Sequence, residues 1–199
     1  VLKMENSNSK QNILNVAICL FSKSGFSNVS VREIADAVGI KSASLYYHFP
    51  NKQSIYLGAL EHFFSNKAVL FTKVLESDKS ALERLELFIY KFTEVMSNDE
   101  DFRRLLQREM LDGDEERLKY LADKVFKEQF RAIGQLIKQI SPECDPHMLT
   151  ISITSLILHH LETAPIRKLL AGHKPEHDQP DYIARHVYKL LTNGILSHE

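Results

Sequence analysis

A chain of 199 residues with 44% hydrophobic and 26% charged side chains has the make-up of an ordinary globular protein, long enough for one sizeable domain or a small module on a larger one. Its formal net charge of -1 excludes a protein that coats a polyanion by bulk positive charge, and no apolar run reaches the roughly 18 residues of a membrane span. The charge is unevenly spread: residues 1–55 carry Lys3, Lys10, Lys23, Arg32, Lys41 and Lys52 against Glu5, Glu33 and Asp36, a surplus of three positive charges, so the remainder is acidic. A polyanionic partner at one end suits that asymmetry.

Apolar residues recur near a period of 3.6 almost throughout and no alternating strand pattern stands out, so the expected fold is all-α with about nine helices. The stretch VLKMENSNSK has no apolar signal core and reads as a frayed polar arm. A first helix is expected from about Lys10 to Lys23, with Ile13, Leu14, Ala17, Ile18 and Phe21 as its buried stripe, stopped by Gly25. Ser30 and Glu33 form a capping box for a second helix that buries Ile34 and Val38 and ends at Gly39. A short third helix covers about Ser42 to His48 and closes before Pro50. Asn51 caps a fourth, from Lys52 to about Leu75.

Longer amphipathic segments follow: about Ser80 to Ser97, Phe102 to Leu111, a long helix from Glu115 to Ile140, His147 to Glu162, and Asp181 to Ile195. Asp112-Gly113-Asp114, the segment between Pro142 and Pro146, and Lys174 to Pro180 read as loops. Cys19 and Cys144 have no metal-ligand spacing and read as reduced thiols of a cytosolic protein.

Two helices that cross steeply need a small residue at the approach and a glycine at the turn, and Ala35 and Gly39 supply both. Read alone, this spacing fits a helical hairpin in any bundle equally well. The third helix, however, is too short and too polar for a pure core element. Leu45 and Phe49 are its core candidates. Ser42, Ala43, Ser44, Tyr46, Tyr47 and His48 are left to hydrogen-bond or pack against base edges and phosphates, with Lys41 and Lys52 flanking.

The run Leu45-Tyr46-Tyr47-His48-Phe49-Pro50-Asn51-Lys52, preceded by Ser30-Val31-Arg32-Glu33-Ile34-Ala35 and the Gly25-Phe26 turn, resembles the tetracycline-repressor (TetR) family of bacterial transcription regulators. The resemblance is dense over about residues 10–60 and rests further on only on helix number, length and order. It implies a helix-turn-helix DNA-binding head at residues 1–55 and a ligand-binding and dimerisation body at 56–199. Carried over residue by residue, it implies that Ser42, Ala43, Ser44, Tyr46 and His48 face the major groove and that Ser30, Tyr47 and Lys52 hold phosphates. Arg32 and Lys41 would contact phosphate rather than bases. The recognition helix lacks the Arg, Asn or Gln that make bidentate base contacts, so serine hydroxyls, a thymine methyl against Ala43, water and DNA shape would carry specificity.

The resemblance also implies a homodimer on a double-stranded palindromic DNA operator, in the cytoplasm. The interface would draw on Leu149, Ile153, Leu156, Ile157, His160, Ile183, His186, Val187, Leu190 and Leu191, and a fully internal helix is the alternative for the apolar segment 147–162. A small, mainly hydrophobic effector would release the operator, its movement passing through the fourth helix. The implied cavity draws on Phe88, Phe92, Met96, Phe102, Leu106, Met110, Phe126, Phe130, Ile133 and Leu158. Glu109, Gln129, Thr154, His159 and Glu162 are polar interruptions that would orient the effector. The function so read is a ligand-responsive transcriptional regulator, a repressor. An activator or a non-sequence-specific DNA-binding protein is the alternative. No nucleophile–base pair, phosphate-cradling loop or HExxH-type site points to an enzyme, and no cofactor is expected. His173 and His177 have an H-x3-H spacing in a proline-bearing loop without further ligands, so no metal is expected either.

Overall fold

The computed structural model describes residues 2–194. Among them the regular elements are helical: α1 (Leu2–Asn28), α2 (Val31–Val38), α3 (Ser42–His48), α4 (Lys52–Leu75), α5 (Ala81–Asn98), α6 (Glu100–Asp112), α7 (Glu115–Tyr120), a π-helical stretch (Leu121–Phe126), α8 (Lys127–Ile140), α9 (Pro146–Glu162), the single turn α10 (Ala164–Arg167), a 3₁₀ turn (Pro175–Asp178) and α11 (Pro180–Gly194). The all-α expectation holds, and the bounds of α2, α3 and α4 agree with the sequence reading to within a residue. Ile195, the expected end of the last helix, lies outside the described residues.

Two local expectations are corrected. The N-terminal arm is helical from Leu2 rather than frayed, because a helix nucleated over the apolar stripe from Ile13 propagates backward at little cost. Gly25 breaks it: its φ of 79° and ψ of 165° suit glycine, and the chain turns there before Phe26. The single long helix expected from Glu115 to Ile140 is instead α7, a π-helical stretch and α8, with Leu121 and Val125 buried in the widened turn. Directly after α9 comes α10, held by Arg167, whose guanidinium donates to the His160 carbonyl and to Asp178 (both 2.8 Å).

The described chain divides into two compact units, one of residues 2–66 with 101–126, the other of 67–100 with 127–194. The first unit thus joins α6 and α7 to α1–α3. In this first unit Ile13, Ala17, Phe21, Ile34, Leu45, Ile55 and Tyr56 are essentially inaccessible. Burying such side chains stabilises by about 1.5–3 kcal/mol each.

In the second unit α5 packs against α8, α9 and α11. Its core holds Leu85, Ile89, Leu136, Ile137, Ile153, Ile157 and Val187. The Phe71, Phe88 and Phe92 rings pack at centroid distances of 5.6–5.8 Å.

Candidate nucleic-acid interface

The head is set by local signals. The Ser30 hydroxyl accepts the Glu33 amide (3.1 Å) and the Glu33 carboxylate accepts the Ser30 amide (2.7 Å), the expected capping box. These bonds hold the Glu33 carboxyl below its usual range. At the other end of α2, Gly39 takes the left-handed conformation (φ 78°), the Ile40 amide reaches the Ala35 carbonyl (3.0 Å) and the Gly39 amide reaches Asp36 (3.1 Å). The chain thereby reverses into α3, with Ala35 fully buried at the approach.

α3 is held by two anchors, Leu45 (0% exposed) and Phe49 (4%). The faces at 43, 44, 46 and 47 then point to solvent, with Tyr46 51% and Tyr47 80% exposed. Ser42 and His48 are half-buried at its flanks, and the Tyr47 and His48 rings pack edge to face (5.3 Å, 82°). Ser30, Arg32 and Lys41 are exposed around it, Arg32 lying 3.8 Å from Asp36. A polar, aromatic surface on a short helix with a buried spine is suited to insertion into a groove.

Lys52 departs from the expectation. Its ammonium donates to the carbonyls of Phe26 (2.9 Å) and Ser27 (3.4 Å) and stands 4.4 Å over the Phe26 ring, so it satisfies the end of α1 rather than standing free for a phosphate. The reason is reach: from the first turn of α4 its stem spans to the carbonyls left open after the Gly25 break.

The remaining expected residues scatter. In the first unit Phe102 and Phe126 both pack on Phe64, at 4.2 and 4.9 Å, with Leu106 half-buried nearby on α6. Glu109 is corrected as a ligand-orienting group. It is 1% exposed, and both its oxygens are engaged, by the Tyr56 hydroxyl (2.5 Å) and the Arg117 Nε (2.8 Å). Burial, then the bond to Glu109, pushes the Tyr56 phenol pKa well up. Met110 is exposed and lines no interior.

In the second unit Phe88, Met96 and Ile133 are core, while Phe92, Gln129 and Leu158 are half-buried, the Gln129 Oε1 being buried without a hydrogen-bond partner. The Thr154 hydroxyl is spent on the Thr150 and Ile151 carbonyls (both 3.1 Å). His159 and Glu162 face outward. Phe130 packs at a tilt against His147 (5.1 Å, 57°) on an open groove of about 720 Å³ between α8 and the start of α9, lined also by Arg131, Gln135, Lys138 and Pro146.

Five residues expected at a dimer face, Ile153, Ile157, Ile183, Val187 and Leu191, are 0–3% exposed inside the chain's own core and present no surface. Leu149, Leu156 and His160 are half-buried and His186 and Leu190 exposed; the His160 and His186 rings meet edge to face at 5.5 Å. No group of three metal-ligating side chains occurs among the described residues. Sequence reasoning missed Phe26, Tyr56 and Arg117, and the one signal available was that Glu109 is a charged residue among the apolar positions of α6.

Residues 13–59, the anchored part of α1 through the first turns of α4, match the model of the bacterial regulatory proteins, tetR family. This segment is similar to the TetR-family regulatory domain.

The chain is 35% identical over 96 residues to the Staphylococcus epidermidis HTH-type negative transcriptional regulator of the biofilm operon icaADBC, IcaR. That match takes in 48% of this chain and 50% of the relative, so the chain spans about half the length of that relative. It is 22% identical over 136 residues to the nucleoid occlusion factor SlmA of Alteromonas mediterranea, 68% of this chain and 70% of that one. Among solved structures, Bacillus subtilis FadR in complex with stearoyl-CoA superposes with a TM-score of 0.75 at 17% identity, over 93% of this chain and 98% of that one, which establishes a shared fold.

Proposed function

We propose that this protein is a TetR-family transcriptional repressor that reads a palindromic operator as a homodimer and is released by a small, mainly hydrophobic effector. One observation carries the reading: α3 is pinned by Leu45 and Phe49 and turns Ala43, Ser44, Tyr46 and Tyr47 outward. In this reading residues 1–55 form the DNA-reading head and 56–199 the regulatory body. Ser42, Ala43, Ser44, Tyr46 and His48 meet base edges, and Ser30, Arg32, Lys41 and Tyr47 meet phosphates.

The Staphylococcus epidermidis relative is by name a negative regulator, which supports repression. A structural neighbour holds stearoyl-CoA, which supports an effector with a long apolar part. The dimer face would be the seam of α9 and α11 at Leu149, Leu156, His160, His186 and Leu190, which keeps exposed or half-buried surface. Among the described residues no helix is long and apolar enough to cross a membrane, which accords with a cytoplasmic protein.

The test is selection of duplex DNA from a random pool by the full chain. A palindrome with half-sites about one helical turn apart is expected, and Tyr46→Ala and His48→Ala should each weaken binding at least tenfold with helicity unchanged. Undiminished binding by both variants overturns the recognition-helix assignment. Equal affinity for scrambled duplex favours the non-sequence-specific reading.

A further inference from the structure

Within the first unit, α6 and α7 grip the turn that leads into α2. Arg108 on α6 donates to the Lys23 carbonyl (3.0 Å), and a Cβ at Gly25 would stand 3.0 Å from its guanidinium. The next residue, Glu109, takes the Tyr56 hydroxyl on one oxygen and the Arg117 Nε on the other. The remaining Arg117 nitrogens face Asp112 and Asp114 (both 3.3 Å), so the guanidinium is fixed in direction. Its carbon stands 5.0 Å over the Phe26 ring, the same ring that Lys52 covers at 4.4 Å and Tyr56 meets at 5.0 Å. Phe26 lies four residues before Ser30, the cap of α2.

A buried ion pair contributes little net stability compared with an apolar pair of equal volume; what it supplies is a fixed geometry. We propose that Glu109 and Arg117 are positioning residues for DNA reading, setting the pose of α2 and α3 through the Phe26 turn. This rests on the DNA-reading assignment of α3. Neither residue touches DNA: each acts by holding the Phe26 ring, against which the start of the helix-turn-helix is registered.

The experiment measures affinity of the full chain for its selected palindrome over a range of salt concentrations, for wild type, Glu109→Gln, Arg117→Lys and Phe26→Leu. Ile137→Ala, in the core of the second unit, serves as a control for lost stability. Glu109→Gln and Arg117→Lys should each weaken binding about tenfold while the slope of log K against log salt stays at the wild-type value, because no phosphate contact is lost. Arg117→Lys should add little further loss in the Phe26→Leu background, as expected for residues acting through one another.

Three results overturn the inference alone: binding within about twofold of wild type, a salt slope reduced by about one, or an equal loss in an Ile137→Ala protein of matched melting temperature. Failure of the wild-type chain to select any DNA overturns the DNA-reading assignment, and this inference with it.

Discussion

Two tyrosines of the first unit donate to carboxylates, and their surroundings differ enough to separate the hydrogen bond from the burial. Tyr56 is 1% exposed and donates to Glu109, itself 1% exposed, whereas Tyr120 donates to Glu61 at the surface. Tyr56→Phe keeps the ring, and with it the edge-to-face contact to Phe21 at 4.7 Å, but leaves a carboxylate oxygen without its donor where water does not reach. A hydrogen bond to a charged group contributes about 1.5–3 kcal/mol, and stranding the acceptor falls in the same range. At about 2–4 °C per kcal/mol for chains of this size, the melting temperature should fall by roughly 3–12 °C.

Tyr120→Phe removes the same group where water replaces it, and a shift under about 2 °C is expected. Thermal unfolding of both variants at neutral pH, followed by circular dichroism, makes the comparison. A Tyr56→Phe shift no larger than that of Tyr120→Phe would refute the claim that burial gives the Tyr56–Glu109 bond its weight.

Gly39 has a positive φ and no atom within 4 Å of a built Cβ, so Gly39→Ala costs only backbone strain, about 1–2 kcal/mol, and Gly39→Asn less. Urea unfolding of the two variants should show that order. Burial lowers the His160 pKa below its ordinary 6.5, and His186, Arg167 and His159 act in the same direction. The neutral ring is thus favoured in the fold: the stability it contributes is complete above the unfolded value and is lost as pH falls through 6.5 toward the lower folded value. Melting temperature against pH should therefore fall less steeply on the acid side for His160→Gln than for wild type. Identical slopes would exclude His160 as a source of the dependence.

The sequence by itself determined the head. Capping at Ser30 and Glu33, the left-handed Gly39, Asn51 before α4 and the spacing of Leu45 and Phe49 all act between residues a few positions apart. Such signals need no knowledge of the rest of the chain, and together they make the motif that the family model matches.

What only the tertiary structure decided are pairings across long separations. Tyr56 meets Glu109 across 53 residues, and Lys52 reaches back to Phe26, so that its charge caps a helix instead of standing free. The apolar composition of α9 likewise left open whether its face meets a partner or its own core. Ile153 and Ile157 are sealed inside by packing within the second unit, because a hydrophobic stripe records that a surface is buried but not what buries it.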